Sequence, residues 1–267
     1  MSKNWQCRVS PTLGELEDSQ NKIWGTKDYE NDTDPTVFMG CYGLPDFYTI
    51  WRHKGEKHIL WCGTDILHFR YGYWLDKEGK MRITSRPLAT WMNKYCTNWV
   101  ENMVEKEALK DFGIGAIIVP SFIGDVNKFP VSEKKTDKKR YYASVSGNNF
   151  EQYGWPKINQ LAEMHPNYEY HLYGNTIPWV APRNVKVHGR VPKEVMNKEI
   201  KSMTGCVRLL EFDGFSEVIA KAVLMGQEVI SSIDYPFLKA ENPRAELIAV
   251  LNKYPWNKIQ NDNSKVD

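Results

Sequence analysis

Apolar residues in this chain come in short runs that alternate with amphipathic stretches. Thr36-Val37-Phe38-Met39-Gly40-Cys41-Tyr42 is a continuous run closed by a glycine turn, which predicts a buried strand. From Pro45 a helix is expected, with Phe47, Ile50 and Trp51 at the three-and-four spacing of a buried face and proline in the tolerant first turn. His58-Ile59-Leu60-Trp61-Cys62 predicts a second strand, ending at Gly63-Thr64-Asp65. Lys94-Tyr95-Cys96-Thr97 predicts another. Asn98-Trp99-Val100-Glu101 then has the Asn-x-x-Glu form of a capping box, ahead of Val100, Met103, Val104 and Leu109 in a helix stopped at Gly113. Gly115–Pro120 reads as a strand buried on both faces of a parallel sheet. Residues 1–34 read as polar and irregular.

The segment Val131–Arg140 is charged and has no apolar period, so it is the expected connection between two bodies. The alternation then starts afresh. Strands are expected at Tyr141–Val145, Tyr168–Tyr173, Val185–His188, Cys206–Leu210 and Val229–Ser231. Helices are expected from Pro156, over Lys193–Met203 and Glu217–Met225, and over Arg244–Lys253. Strand-helix alternation in both halves predicts an α/β class with two similar layers: residues 1–133, a linker at 134–140, and residues 141–267.

Length and composition narrow the picture without changing it. The 267 residues, 42% hydrophobic and 25% charged, supply the cores for two modest domains and exclude a disordered chain. Net charge is +2, but Lys134–Arg140 alone carries five bases and one acid; setting that +4 aside leaves −2 elsewhere. An extended phosphate-binding face is therefore not expected, and a nucleic-acid acceptor is not favoured. Five widely spaced cysteines with no C-x-x-C pair suit a reducing compartment. The opening residues lack the apolar core of a secretion signal and no apolar run is long enough to span a bilayer, so a soluble cytoplasmic protein is expected.

In open α/β sheets, ligands bind beyond the carboxyl ends of the strands, where glycine turns and helix N-termini expose backbone amides. Gly147, Gly174, Gly189 and Gly214 each follow a predicted strand of the second half and outline one such edge. The most informative run is Leu210-Glu211-Phe212-Asp213-Gly214-Phe215-Ser216-Glu217, continuing through Lys221 to Met225-Gly226 and the strand at Val229. A strand empties into an acidic residue and a Gly-aromatic-small turn, and the amides of Phe215, Ser216 and Glu217 open a helix able to hold a diphosphate.

This run resembles the donor-site segment of GT-B glycosyltransferases, especially the retaining family-4 type. The likeness extends over residues 36–254 and implies two Rossmann-like domains facing across a cleft, the N-terminal one reduced. It implies sugar transfer from a nucleotide-diphosphate sugar to an acceptor hydroxyl, retaining and metal-independent, with the nucleotide sugar as co-substrate and no cofactor or metal. Asp213 stands where the family's first glutamate contacts the transferred sugar, and Gly214, Phe215 and Ser216 stand beside the sugar and diphosphate. Lys221 replaces the second glutamate, which takes the ribose hydroxyls. An ammonium only donates, so Lys221 either pairs with phosphate or, as a plain i,i+4 partner of Glu217, stabilises a solvated helix face. Tyr173-Gly174-Asn175 and Val187-His188-Gly189-Arg190-Val191 resemble the turns that meet the nucleotide. Gly147, Asn148 and Asn149 occupy the first donor turn without the family's bases, leaving Arg190 and Lys221 as replacements.

On the acceptor side, Trp61-Cys62-Gly63-Thr64-Asp65 resembles a Trp-x-Gly-Thr-Asp turn of family-4-like enzymes, and Gly40–Gly43 the glycine loop facing the cleft. Asp65 is a candidate to orient an acceptor or sugar hydroxyl; it is equally a helix cap. Gly43, Gly63 and Thr64 are expected beside the acceptor. His53, His58 and His68 read as core or solvated residues. Asp32-Thr33-Asp34 matches the metal-holding Asp-x-Asp of GT-A enzymes but sits in a polar leader before Pro35 and reads as a loop. No G-x-S-x-G, Walker, H-E-x-x-H or G-x-G-x-x-G motif is present. The alternatives are a phage-type DNA-modifying glucosyltransferase and a catalytically silent nucleotide-sugar binding module.

Overall fold

The computed structural model describes residues 4–14, 16–71, 85–121, 124–132, 138–145, 150–174 and 181–257. Contacts divide the chain into two compact units: 1–124 with 212–215 and 248–267, and 125–211 with 216–247.

The first unit holds strands β1 (Gln6–Val9), β2 (Lys27–Asp28), β3 (Thr36–Met39), β4 (Lys57–Leu60), β5 (Thr97–Val100) and β6 (Ala116–Ile118). With them run helices α1 (Leu16–Trp24), α2 (Leu44–Arg52), α3 (Thr64–Tyr71), α4 (Ser85–Tyr95) and α5 (Met103–Lys110). All strand pairs are parallel, in the order β2-β1-β3-β4-β5-β6. One core cluster gathers Phe38, Ile50, Ile59, Trp61, Phe69 and Val100; another gathers Trp5, Cys7, Trp24, Leu60 and Trp99 with Tyr254 and Trp256. His58 lies among Trp5, Trp99 and Trp256, taking the Trp99 indole proton at Nδ1 (2.9 Å).

Five expectations for this half change. Trp51, expected on the buried face of α2, is 52% exposed. The polar leader contains β1, flanked by β2 and β3, because Trp5, Cys7 and Val9 face the second core while Gln6 binds the backbone of Glu30 and Asn31. The strand expected at Lys94–Thr97 is the end of α4 followed by β5. β5 takes in Asn98, so the cap belongs one turn on: Asn102 accepts from Glu105 N at 3.0 Å and starts α5. β6 is an edge strand, with Ile117 48% exposed, rather than one buried on both faces.

The second unit holds β7 (Arg140–Val145), β8 (Glu169–Gly174), β9 (Val185–Gly189), β10 (Gly205–Arg208) and β11 (Glu228–Ser231). Its helices are α6 (Trp155–Met164), α7 (Lys193–Ile200) and α8 (Glu217–Leu224), and α9 (Pro243–Leu251) follows. This sheet is also wholly parallel, ordered β11-β10-β7-β8-β9. Each unit is thus a Rossmann-like α/β layer, and each sheet reverses its strand order once, at β1/β3 and at β7/β10. Among the described residues, no helix is long and apolar enough to cross a membrane.

Candidate functional site

Parallel strands bring their carboxyl ends to one edge, and in the first unit the turns after β3, β4 and β5 meet there. Asp65, at the start of α3, is fully buried. Its Oδ2 accepts from Cys41 N (3.0 Å) and its Oδ1 from Cys62 N (3.0 Å) and Ile66 N (2.9 Å). Burial raises its pKa to about 6, against the pull of these amides. Asp65 is committed to pinning two turns, which corrects its expected role on a substrate hydroxyl. Asp46 does similar work at the β1/β3 reversal, accepting from Ser10 Oγ (2.8 Å) and Tyr42 N (3.0 Å) and pairing with Arg8 (2.8 Å). Gly43 caps α2 and Thr64 is exposed, its hydroxyl donating toward Tyr42 Oη at 3.4 Å.

Glu101, expected only as the glutamate of a capping box, takes a different role here. Buried at the end of β5, it accepts from Phe215 N through Oε2 (2.6 Å) and from Ser121 N (3.1 Å) and the Ser121 hydroxyl through Oε1. Glu105 closes on the Glu101 amide at 2.6 Å, and Asn102 Nδ2 donates to the Asp213 carbonyl at 2.7 Å. Phe212 packs on the first core, so Phe212–Phe215 belongs by its contacts to the first unit. The approach is close. A Cβ on Gly214 would run into Glu101 Oε2, and one on Gly63, whose φ is +88°, would lie 2.8 Å from Gly214 N. Burial pushes Glu101 to about 7, partly offset by its bonds to Ser121 and Phe215; burial and the Glu101 charge push Glu105 well above the carboxylate range. The Phe215 amide, assigned to a diphosphate by sequence, here serves a protein carboxylate.

In the second unit the strand order reverses between β7 and β10. At the carboxyl end of β10, Arg208 is buried, donates to the Ser144 carbonyl at 3.0 Å and stacks over Tyr153 at 5.2 Å. It supplies a cation at the reversal where Arg190 and Lys221 were the bases expected, and its signal was an arginine inside the apolar run Cys206–Leu210. Ser216 is the N-cap of α8 and makes no side-chain capping bond, while its carbonyl accepts from Ile219 N (3.0 Å) and Ala220 N (3.1 Å). Glu217 lies between two ammonium groups, Lys193 Nζ at 2.7 Å and Lys221 Nζ at 3.2 Å. Lys221 is only 2% exposed, sits 5.6 Å from the Phe129 ring, and has its pKa lowered by burial. The solvated-face expectation for Lys221 is therefore corrected, and so is its availability to a ribose or phosphate: Glu217 holds it inside.

Gly174 ends β8, and His188 stacks on Tyr173 at 4.4 Å, while Arg190 is exposed and Val191 half-buried just before α7. Gly147, Asn148, Asn149 and Asn175 lie outside the described residues. Asp32-Thr33-Asp34 is a loop in which Asp32 pairs with Lys54 (2.8 Å); among the described residues no group of three or more His, Cys, Asp or Glu could hold a metal ion. Within the first unit the fold gathers Gly63, Asp65, Asp213, Gly214 and Phe215 around Glu101; within the second it gathers Ser216, Glu217 and Lys221 around the start of α8.

Two Rossmann-like units with these reversals define the GT-B fold, of the kind seen in group 1 glycosyltransferases. The chain is similar to WaaG, a glycosyltransferase involved in lipopolysaccharide biosynthesis, with a TM-score of 0.55 and 11% identity over 98% of this chain and 94% of that one. It is also similar to TarM, with a TM-score of 0.52 and 12% identity over 87% of this chain. A variant of S. aureus TarM in complex with Fondaparinux, alpha-GlcNAc-glycerol and UDP gives the same score. The chain spans about half the length of the TarM chains, 51% and 52%. No protein-family model and no curated protein sequence matches the chain.

Proposed function

We propose that this chain transfers a sugar from a nucleoside-diphosphate sugar to an acceptor hydroxyl, with the anomeric configuration retained. The observation that supports it is placement. In a GT-B fold, an acidic-Gly-aromatic turn leaves β10 at the β7/β10 reversal and opens α8, whose uncapped N-terminus favours an anion. The leaving diphosphate would draw on these amides and on Arg208, which lets the reading dispense with a metal. Asp213 is assigned to the transferred sugar. The ribose hydroxyls fall to Glu217 in place of Lys221, because a carboxylate accepts and an ammonium does not. Lys193 and Lys221 then orient Glu217 rather than touch the donor.

The UDP bound in the TarM complex makes a uridine-diphosphate sugar the first donor to try. A thermal-shift screen of nucleoside diphosphates and their sugars on the full chain tests the reading, since a ligand that binds only the folded state raises Tm. At least one donor should raise Tm and release its diphosphate slowly in water. A rise in Tm without turnover of any donor leaves a binding module, and no rise with any nucleotide removes the donor site altogether.

A further inference from the structure

We infer that His171 and His188 hold one proton between them as a pair, and that this proton clamps α7 to the edge of the second sheet. The inference stands apart from the glycosyl-transfer reading. β8 and β9 run in register up to Leu172 and Val187, and then Tyr173 pairs with Gly189, so His188 is the extra residue of a bulge. The bulge carries its ring over β8. His188 stacks on both His171 (ring centroids 5.1 Å) and Tyr173 (4.4 Å), and its Nε2 lies 2.9 Å from His171 Nδ1. A carboxylate stands at each end of the pair. Glu169 Oε2 is 3.6 Å from His171 Nε2, and Glu199 Oε2, which accepts the Tyr173 hydroxyl at 2.5 Å, is 3.7 Å from His188 Nδ1.

The series has three gaps, Glu169 to His171, His171 to His188 and His188 to Glu199, and each is attractive only with a proton in it. Two neutral imidazoles bring two protons, so one gap is left with lone pairs facing each other. Among the described residues, no hydrogen-bond partner reaches the buried His171 Nε2. A third proton fills the series and gives the pair a single positive charge between two carboxylates. A fourth would set N–H against N–H across 2.9 Å, so the pair takes one proton and refuses the next. The surroundings suit that single charge. Lys138 (2.9 Å) and Lys186 (3.4 Å) also hold Glu169 and keep it ionised, with its pKa at about 2. Burial, the His188 charge and Lys186 lower the pKa of His171, so the charge resides on His188, next to Glu199. Arg140 of β7 acts on Tyr173, and Tyr142 of β7, beside His171 in register, gives its hydroxyl to Gln227 at 3.1 Å. Glu199 is a residue of α7, so charge on His188 draws that helix to β9 and sets the short turn, Arg190 and Val191 included, that joins the two.

Long-range nitrogen–proton NMR spectra of the full chain, with each imidazole assigned, count the protons. Between about pH 8 and about pH 5, where histidines titrate, both rings should shift with one common midpoint and their uptake should sum to one proton. Two separate steps of one proton each, or no titration of either ring, overturn the inference. Amide hydrogen exchange of α7, corrected for the pH dependence of the intrinsic rate, tests the clamp. Protection of α7 should fall roughly threefold or more as the proton leaves, and this pH dependence should vanish in H188Q and in E199Q. Both side chains are partly exposed, so these variants should keep the wild-type melting temperature, which is checked alongside. An H188Q protein whose α7 follows the wild-type pH course overturns the inference as well.

Discussion

The carboxylate of Glu101 accepts the amide proton of Phe215 at 2.6 Å, and in doing so it takes up a backbone donor that the sequence alone assigns to a phosphate. A charge-assisted bond of this length, made in a buried setting, fixes the 212–215 turn firmly. It also makes Glu101 a group whose protonation state matters to folding.

Glu101 titrates near 7 in the folded chain, against an ordinary value of 4.5. Between those values the native state holds more proton than the unfolded one, so this group's contribution to stability falls as pH rises through the interval. Asp65, raised to about 6, acts in the same direction, whereas buried His53 and His171, both lowered, act in the opposite one. The expected signature is therefore differential. The Tm of E101Q minus that of the wild type should climb from pH 5 to pH 8, because the variant lacks the ionisation that burial penalises. Parallel profiles for the two proteins would remove the assignment.

Gly214→Ala should destabilise by about 1–3 kcal/mol, the cost typical of overpacking, because its new methyl group meets a carboxylate pinned by Ser121 and Phe215. In an E101A background the same change should cost much less. A double-mutant cycle by urea denaturation measures the coupling, and additive effects would show that the two residues do not meet.

Lys221→Glu restores the residue that the resemblance calls for, yet it should weaken the protein. The new carboxylate would be buried beside Glu217 and under Phe129, where Lys221 now sits. Lys221→Met should be tolerated within about 1 kcal/mol, since Glu217 keeps Lys193 and is itself partly exposed. Chemical denaturation of both variants gives the order; a K221E protein as stable as K221M would contradict the buried placement.

Arg208→Ala should reduce affinity for a nucleoside diphosphate by tenfold or more in titration calorimetry, and Arg190→Ala much less. Arg208 lies at the β7/β10 reversal, whereas Arg190 is exposed before α7. Arg208→Lys should recover only part of the loss, because an ammonium cannot both stack on Tyr153 and present a planar fork. An unchanged affinity in R208A would return the diphosphate to the α8 amides alone.

Trp256→Ala should cost about 3–5 kcal/mol, as truncation of a buried tryptophan usually does. Its ring is fully buried against Trp5, Trp24, His58 and Trp99, so the tail around it is part of the first unit's core. Thermal denaturation checks the loss.

The sequence by itself determined the alternation of strands and helices and the α/β class. It did so wherever burial leaves a local mark: the apolar runs of β3, β4, β7 and β8, proline opening α2 and α6, and the Asp213–Glu217 turn ahead of α8. It could not determine β1, because Gln6 and Arg8 are polar and their partners lie far along the chain in Glu30 and Asp46. Nor did it place the cap of α5, expected at Asn98, since Asn102 too stands three residues before a glutamate. Pairing of Asn98 with Ala116 in the sheet decides the matter. The same holds for charge. Spacing places Lys221 one turn after Glu217, but only packing against Phe129 buries it, and only the meeting of the turns after β4 and β5 with residues 213–215 brings Glu101 to the Phe215 amide. Local spacing encodes periodicity, whereas the burial and pairing of an ionisable group depend on residues distant along the chain, 114 positions in the case of Glu101 and Phe215.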